Sequence, residues 1–152
     1  KYTPGTEALS VQLTDMPEPN RTWQDDALER KWSALIDVRD ELNKALEQAR
    51  KDKVVGNSLG AHVELYPNAE ARATLKEFED LETLFIVSKV TIHEEDARSD
   101  GAEAFAIGAI RVEPAPGEKC ERCWIVTPDV GADDRHPTLC PRCASTVEQL
   151  TS

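Results

Sequence analysis

Four cysteines in two matching pairs are the residues whose type and spacing predict chemistry. The first pair is Cys120 and Cys123, and the second pair, after sixteen intervening residues, is Cys140 and Cys143. A C-x-x-C turn lets two thiolates converge on one point, and two such turns about 15–20 residues apart supply the four ligands of a tetrahedral zinc. The spacing therefore predicts one Zn2+ held by all four cysteines.

Other interpretations of the cysteines fit less well. A disulfide needs an oxidising compartment, and no secretory segment is visible. A redox C-x-x-C usually occurs once, beside a β-α-β pattern. Iron accepts the same four thiolates, and His136 is an alternative ligand, although it reads more simply as a loop residue before Pro137. Because four thiolates leave no coordination position open, we expect a structural zinc and no catalytic residue.

The composition limits the class of protein. The chain has 152 residues, 39% of them hydrophobic and 5% aromatic, which favours one or two small soluble domains. No run of about 18 apolar residues predicts a membrane span. The formal net charge of −11 opposes non-specific binding to phosphate backbones. The sequence starts at Lys1 rather than Met, and we expect it to be a piece of something longer.

The elements before the cysteines begin with a proline-rich stretch, residues 1–20, which predicts an extended segment. A long amphipathic helix follows, capped by Thr22 and ending near Arg50. Its single apolar face predicts a place in a helical bundle. Arg39 interrupts that face, either as a side chain paired with Asp40 or Glu41 or as a phosphate ligand.

A small α+β unit follows the long helix. We expect a half-buried strand ending before Pro67 with His62 on its solvated side, then a helix over 69–80 capped by Asn68. Residues 84–92 predict the central strand, and residues 105–112 predict a further strand with a bulge at Gly108. A stiff linker, 114–117, leads to the metal module, which we define as residues 114–152. The predicted fold is therefore α+β, with units at 1–52, 53–113 and 114–152.

The two cysteine pairs and their neighbours resemble a known family. The stretch from Gly117 to Trp124, GEKCERCW, and the stretch HPTLCPRC over 136–143 are similar to the terminal zinc finger of bacterial-type isoleucyl-tRNA synthetases. Residues 39–50, with 55–59 and the strand at 63, resemble the end of that family's helical anticodon-binding domain, and 10–17 the segment before it. Formamidopyrimidine-type DNA glycosylases have similar knuckles, but their N-terminal proline and basic body are absent, so we expect no DNA partner.

The resemblance implies a non-catalytic, C-terminal, cytoplasmic portion of a class I aminoacyl-tRNA synthetase. The ATP-dependent isoleucine--tRNA ligase chemistry would belong to catalytic and editing domains that this sequence lacks. The implied partners are isoleucine tRNA, contacted near its anticodon, and the remainder of the synthetase chain. The candidate RNA-binding residues are Arg122, Trp124, Lys119, Arg135, Arg142 and Arg39. Two alternatives remain open, namely a free-standing zinc-ribbon adaptor that binds protein and a module that docks on the enzyme's own body. In either of these alternatives Trp124 serves only to cover the zinc knuckle.

Overall fold

A computed structural model describes residues 10–14, 16, 18–97 and 100–151 of the chain. The described helices and strands, in order, are α1 (Asp26–Lys51), β1 (Ala61–Pro67), α2 (Ala69–Leu75), α3 (Leu81–Phe85), β2 (Lys89–Ile92), β3 (Glu103–Phe105), β4 (Gly108–Pro114), β5 (Glu118–Lys119), β6 (Val126–Thr127) and α4 (Pro141–Thr151). Short 3-10 turns cover Val11–Leu13, Arg21–Trp23, Ser58–Gly60 and Glu95–Ala97. This confirms an α+β fold with a long helix, a small α+β unit and a four-cysteine module.

The start of the long helix differs from the prediction. The carboxylate of Asp25 accepts hydrogen bonds from the backbone N–H groups of Ala27 and Leu28, so Asp25 is the cap. Thr22 lies instead in the 3-10 turn Arg21–Trp23, and the prediction that it caps the helix is wrong. The reason is position, because only Asp25 stands immediately before the first free N–H groups.

The proline-rich stretch is described only in part. Residues 1–9, 15 and 17 lie outside the described residues. Within the described part, Val11–Leu13 form a 3-10 turn rather than the extended structure predicted there.

The apolar face of α1 is buried along its C-terminal half by the α+β unit. Its buried residues are Leu35, Val38, Leu42, Ala45, Leu46 and Ala49, and they share one core with Val63, Leu65 and Ile110 of the sheet. The N-terminal half keeps Leu28, Trp32 and Ile36 exposed. The core therefore includes residues on both sides of residue 52, where the sequence predicts a domain boundary. The C-terminal half of α1 packs against the α+β unit rather than against other long helices.

Four strands form one sheet in the order β2-β1-β4-β3. Strand β1 is parallel to β2 and antiparallel to β4, and β3 and β4 form a hairpin. Alternation along β1 turns Val63 and Leu65 towards the helices and places His62 and Glu64 on the opposite face.

Three predicted strand and helix bounds are wrong. The predicted central strand, 84–92, is split because Asp80 caps α3 and Ile86 ends it in the left-handed conformation, with φ of 58°. Only β2 remains of that strand, at the edge of the sheet. The helix predicted over 69–80 is capped by Asn68 as expected but ends at Leu75.

The predicted strand over 105–112 is a hairpin that turns before Gly108. Gly108 has φ of 126°, and a Cβ added there would lie 2.2 Å from the carbonyl oxygen of Tyr66. Only glycine fits this position, so the glycine marks the turn rather than a bulge within one strand.

Among the described residues, no helix has both the length and the apolar character required to cross a membrane.

Candidate metal centre

The first cysteine pair lies on the turn that joins β5 to β6. The backbone N–H of Trp124 donates to the carbonyl of Cys120 at 2.9 Å, and the N–H of Cys120 donates to the carbonyl of Ile125 at 2.9 Å. These bonds fold the chain back within five residues. The turn brings the thiols of Cys120 and Cys123 to the same side.

The second pair lies at the start of α4. Cys140 directly precedes the helix, Pro141 is its first residue and Cys143 falls in its first turn. Proline suits this position because its fixed φ is helical and it has no N–H to leave unsatisfied. The N–H of Ala144 donates to the carbonyl of Cys140 at 3.0 Å, which closes the turn.

The four thiols converge on one point. All four Sγ atoms lie within 4.8 Å of one another, and Cys120, Cys140 and Cys143 are buried while Cys123 is half-buried. The Sγ atoms of Cys123 and Cys140 are 3.8 Å apart, and no disulfide joins the cysteines. A tetrahedral zinc with Zn–S bonds of about 2.3 Å separates its sulfurs by about 3.8 Å. The donor set therefore fits a single structural zinc.

His136 lies outside this group. Its Nε2 is 3.9 Å from a carboxylate oxygen of Glu148, on α4, and the metal-ligand group that the described residues form here contains only the cysteines. The loop interpretation of His136 fits this placement.

Burial and hydrogen bonds act differently on the sulfurs of Cys120 and Cys140. Burial opposes ionisation of Cys120, but the N–H groups of Cys123, Cys140 and Arg122 offset it and lower the pKa of the Cys120 thiol to about 6. Burial raises the pKa of the Cys140 thiol to about 12; the backbone N–H of Cys143 acts against this, and hydrogen bonds with the other thiols raise it further. One thiol is therefore ready to bind metal as a thiolate, and the other needs the cation's charge to lose its proton.

Arginines stand next to the sulfurs. Nη1 of Arg122 is 3.6 Å from Sγ of Cys143. The hydrogen bond with Cys123 and the charge of its thiolate raise the pKa of Arg142. Both arginine residues are otherwise exposed to solvent.

Trp124 is presented outward by the metal turn. Its side chain is 61% exposed, and its backbone adopts the left-handed conformation with φ of 68°. Nζ of Lys119 lies 5.2 Å from the centre of the indole ring, within the range of a cation–π contact. Most of the Trp124 side chain is therefore accessible to solvent, and Lys119 lies over its ring.

The remaining candidate residues are placed elsewhere. Arg135 forms ion pairs with Asp133 at 3.0 Å and with Glu148. The hydrogen bond to the Asp133 carboxylate is the main reason that the pKa of Arg135 is raised. Arg39 lies on α1, where its buried Nε has no hydrogen-bond partner among the described residues. Among the described residues, Arg39 forms no ion pair with Asp40 or Glu41, and Glu41 pairs instead with Lys44.

A second polar cluster lies on the open face of the sheet and was missed from sequence. His62, predicted to be solvated, is 7% exposed, because its ring bonds Glu113 at 3.0 Å and Thr91 at 2.8 Å. Ligand atoms of His62, Glu64 and Glu113 lie within 4.8 Å of one another. The guanidinium of Arg111 pairs with both carboxylates, at 3.3 and 3.2 Å, so one positive charge already lies beside them. Cross-strand register, rather than local pattern, brings these residues together.

The metal module docks on the α+β unit. The hydroxyl of Ser88 accepts a hydrogen bond from the N–H of Val126 at 2.8 Å and donates to the carbonyl of Leu59. The N–H of Ala115 donates to the carbonyl of Gly60 at 2.9 Å. A cleft of about 300 Å³ remains between Ile86 and Ile125, with Cys123 and Arg142 on its wall. Trp124 is not among the residues that line this cleft.

Comparisons with known proteins agree with this geometry. A family model described as a zinc finger found in FPG and IleRS matches residues 117–146. The isoleucine--tRNA ligase of Geobacillus thermodenitrificans is 54% identical over 92% of this chain and 16% of its own length. The corresponding ligases of Desulfitobacterium hafniense and Halalkalibacterium halodurans are 49% and 50% identical over 98% and 97% of the chain, which is 17% and 16% of their lengths. The chain therefore spans about a sixth of the curated relatives that it matches.

Proposed function

We propose, from the premise that this chain is similar over nearly its full length to part of the bacterial isoleucine--tRNA ligases, that it forms a non-catalytic tRNA-binding portion of such an enzyme. In the relatives this part would lie at the C-terminal end, in the cytoplasm, and the zinc module would contact the anticodon region of isoleucine tRNA. The ligase reaction would belong to the rest of the enzyme.

The observation that carries the proposal is the exposed ring of Trp124 on a turn fixed by the metal. RNA loops are recognised through unstacked bases that stack on aromatic side chains or guanidinium planes. A ring that is 61% exposed offers such a face. Lys119 at 5.2 Å adds positive charge beside it. Arg122 and Arg142 place further positive charge on the same module.

Two of the candidates contribute less directly. Arg135 is held by two carboxylates, so any phosphate contact would compete with existing ion pairs. Arg39 would serve a separate part of the tRNA, because it lies on α1. The overall charge of −11 requires that contact be local, since most of the surface repels a phosphate backbone.

The exposed half of α1 supports the second proposed partner, the remainder of the synthetase chain. Leu28 and Ile36 are 50% and 51% exposed, and Trp32 is 41% exposed although its ring contacts Phe78. An apolar stripe of this kind is normally covered by another element. We therefore expect the long helix to pack there against the enzyme's own helical domain. The proposed division is an anticodon-binding part up to residue 52, the α+β part over 53–113 and the zinc finger over 114–152.

The alternative of a module that docks on the enzyme's own body has support from the contact between Ser88 and Val126. Trp124 makes neither of the backbone contacts at this junction and stays 61% exposed beside it. Docking and RNA contact are therefore compatible, and a protein-binding adaptor is the remaining competitor.

The test is a titration of the zinc-loaded chain with isoleucine tRNA at low salt. Trp124→Ala should weaken binding about ten-fold, because one base–aromatic stack contributes about 1–3 kcal/mol. Trp23→Ala is the matched control, since Trp23 is 84% exposed but lies outside the module. Tight binding to a protein partner with no affinity for tRNA would favour the adaptor. Unchanged tRNA affinity in Trp124→Ala would remove the stacking role.

A further inference from the structure

Each cysteine pair carries an arginine immediately before its second cysteine. The first pair reads Cys-Glu-Arg-Cys and the second reads Cys-Pro-Arg-Cys, so Arg122 and Arg142 occupy equivalent places. Both turns project this side chain from the same position. The repetition suggests a shared role that is set by the turn itself.

The two arginines cross from one pair to the other. Nη1 of Arg122 lies 3.6 Å from Sγ of Cys143, the last cysteine of the opposite pair. Arg142 lines the same cleft as Cys123, the last cysteine of the first pair. Arg122 therefore contacts the sulfur that closes the other knuckle, and Arg142 stands beside the corresponding sulfur of the first knuckle.

The remaining sulfurs have other partners. The backbone N–H of Cys140 donates to Sγ of Cys120 at 3.4 Å, inside the module. The sulfurs that have an arginine beside them belong to Cys123, which is half-buried, and Cys143, which is buried. The exposed side chains of Arg122 and Arg142 thus place positive charge next to one cysteine of each pair.

The net charge of a zinc ion bound by four thiolates explains why arginines beside the sulfurs would be favourable. Zinc with four thiolates retains two negative charges in excess, and burial makes uncompensated charge costly. The chain as a whole is also strongly acidic, at −11. Two guanidinium groups beside the sulfurs would offset the excess and hold the thiolates in place.

We propose that Arg122 and Arg142 are a reciprocal pair of counter-charges that retain zinc on the four cysteines. They are positioning residues for the metal, acting through the sulfurs of the opposite pair. This role is independent of the proposed RNA contact. It predicts that loss of either arginine weakens zinc binding when no RNA is present.

The experiment measures zinc affinity of the whole chain by competition with a chromophoric chelator, without RNA. Arg122→Gln and Arg142→Gln remove the charge but keep an amide donor, whereas Arg122→Lys and Arg142→Lys keep the charge. Each Gln variant should bind zinc about ten-fold more weakly, the lower end of the effect of losing a partner of a metal ligand. The double Gln variant should lose more than either, and the Lys variants should recover most of the loss.

Arg135→Gln is the matched control, because Arg135 is in the module but pairs with Asp133 and Glu148 rather than with sulfur. It should keep zinc affinity within two-fold of the parent. Circular dichroism of the loaded variants checks the fold. For a variant that does not fold as loaded, the Lys variant at the same position decides, through the sulfur-to-cobalt charge-transfer band after Co2+ substitution.

Three results would overturn the proposal. Gln variants with the parental affinity would show that the contacts do not matter. Lys variants as weak as the Gln variants would show that charge is not the cause. Loss of affinity in Arg135→Gln equal to that in Arg122→Gln would show only a general effect of charge on the module.

Discussion

Single residues determine whether the metal turn can form, and Gly117 is the clearest case. Its φ is 109°, a conformation that side chains rarely adopt, and an added Cβ would lie 2.2 Å from the carbonyl carbon of Thr127 and 2.3 Å from the nitrogen of Pro128. Both neighbours are backbone atoms, which cannot move without separating β5 from β6. The glycine is therefore required by close packing rather than by flexibility.

We predict that Gly117→Ala destabilises the metal module by more than about 2 kcal/mol, since strain and backbone overlap act together. The measurement is amide hydrogen exchange of β5 and β6 in the zinc-loaded chain. Gly56→Ala is the control, because nothing lies within 4 Å of a Cβ added there. Equal protection in the two variants would contradict this account of Gly117.

At the same scale, the sequence predicts the cysteine site but not the burial of His62. The cysteine spacing is local, and the chemistry of thiolates leaves few geometries open. His62 is buried by partners 29 and 51 residues away, Thr91 and Glu113. Alternation along β1 correctly separates His62 from the core face. It carries no information about which residues of neighbouring strands cover the other face.

The capping residue determines where a helix begins, and Asp25 does so for α1. The Asp25 carboxylate accepts from two free N–H groups at the first turn, at 2.9 and 3.0 Å. Both Thr22 and Asp25 are capping residue types. In the structure only Asp25 caps α1, because Thr22 lies within the preceding 3-10 turn.

We predict that Asp25→Ala lowers the free energy of unfolding by about 1 kcal/mol, the usual cost of losing a cap. Thr22→Ala should change it by no more than a few tenths of a kcal/mol, as at most exposed positions. Urea unfolding followed by far-ultraviolet circular dichroism measures both. A larger loss for Thr22→Ala than for Asp25→Ala would return the cap to Thr22.

The apolar run that ends in β2 shows why element type was harder to predict. Residues 84–92 are rich in apolar and β-branched side chains, which favours a strand. Asp80 caps a short helix whose apolar residue Phe85 is buried in the core, and Ile86 closes it in the left-handed conformation. A cap four residues upstream of the run therefore overrides the local preference. The long helix α1 was predicted within about one residue at its end, because its periodicity extends over many turns.

At the scale of the whole molecule, an apolar core and a cluster of metal-binding cysteines stabilise two different parts of the chain. The main core contains residues of α1, the sheet, α2 and α3, and none from residues 114–151. The metal module has three buried cysteines with only Val130 and Leu139 and half-buried Cys123 packed against them. Apolar burial can hold the first unit, whereas the second is too poor in apolar contacts and depends on metal.

We predict that removing zinc with a chelator unfolds the metal module and leaves the main core folded. Hydrogen exchange should lose protection over 117–151 and keep it in α1, β1 and β4. Cys120→Ser should give the same result without a chelator, and Ser145→Ala, an exposed change on α4, should not. Retained protection in the module after verified zinc loss would show that the thiols pack without an ion.

The bridge made by Ser88 has a consequence for recognition. Because its hydroxyl bonds both Leu59 and Val126, and Ala115 bonds Gly60, the module reaches any partner with its orientation already set. Binding then spends little free energy on freezing an inter-unit hinge, a cost that preorganised interfaces avoid. The same rigidity restricts which partners can bind. A partner that contacts both Trp124 and α1 must fit the one relative orientation that the two have. Replacing Ser88 by a residue without a hydroxyl would let the metal module change its orientation. The chain would then accept partners of more varied shape, and each binding event would have to order the junction first.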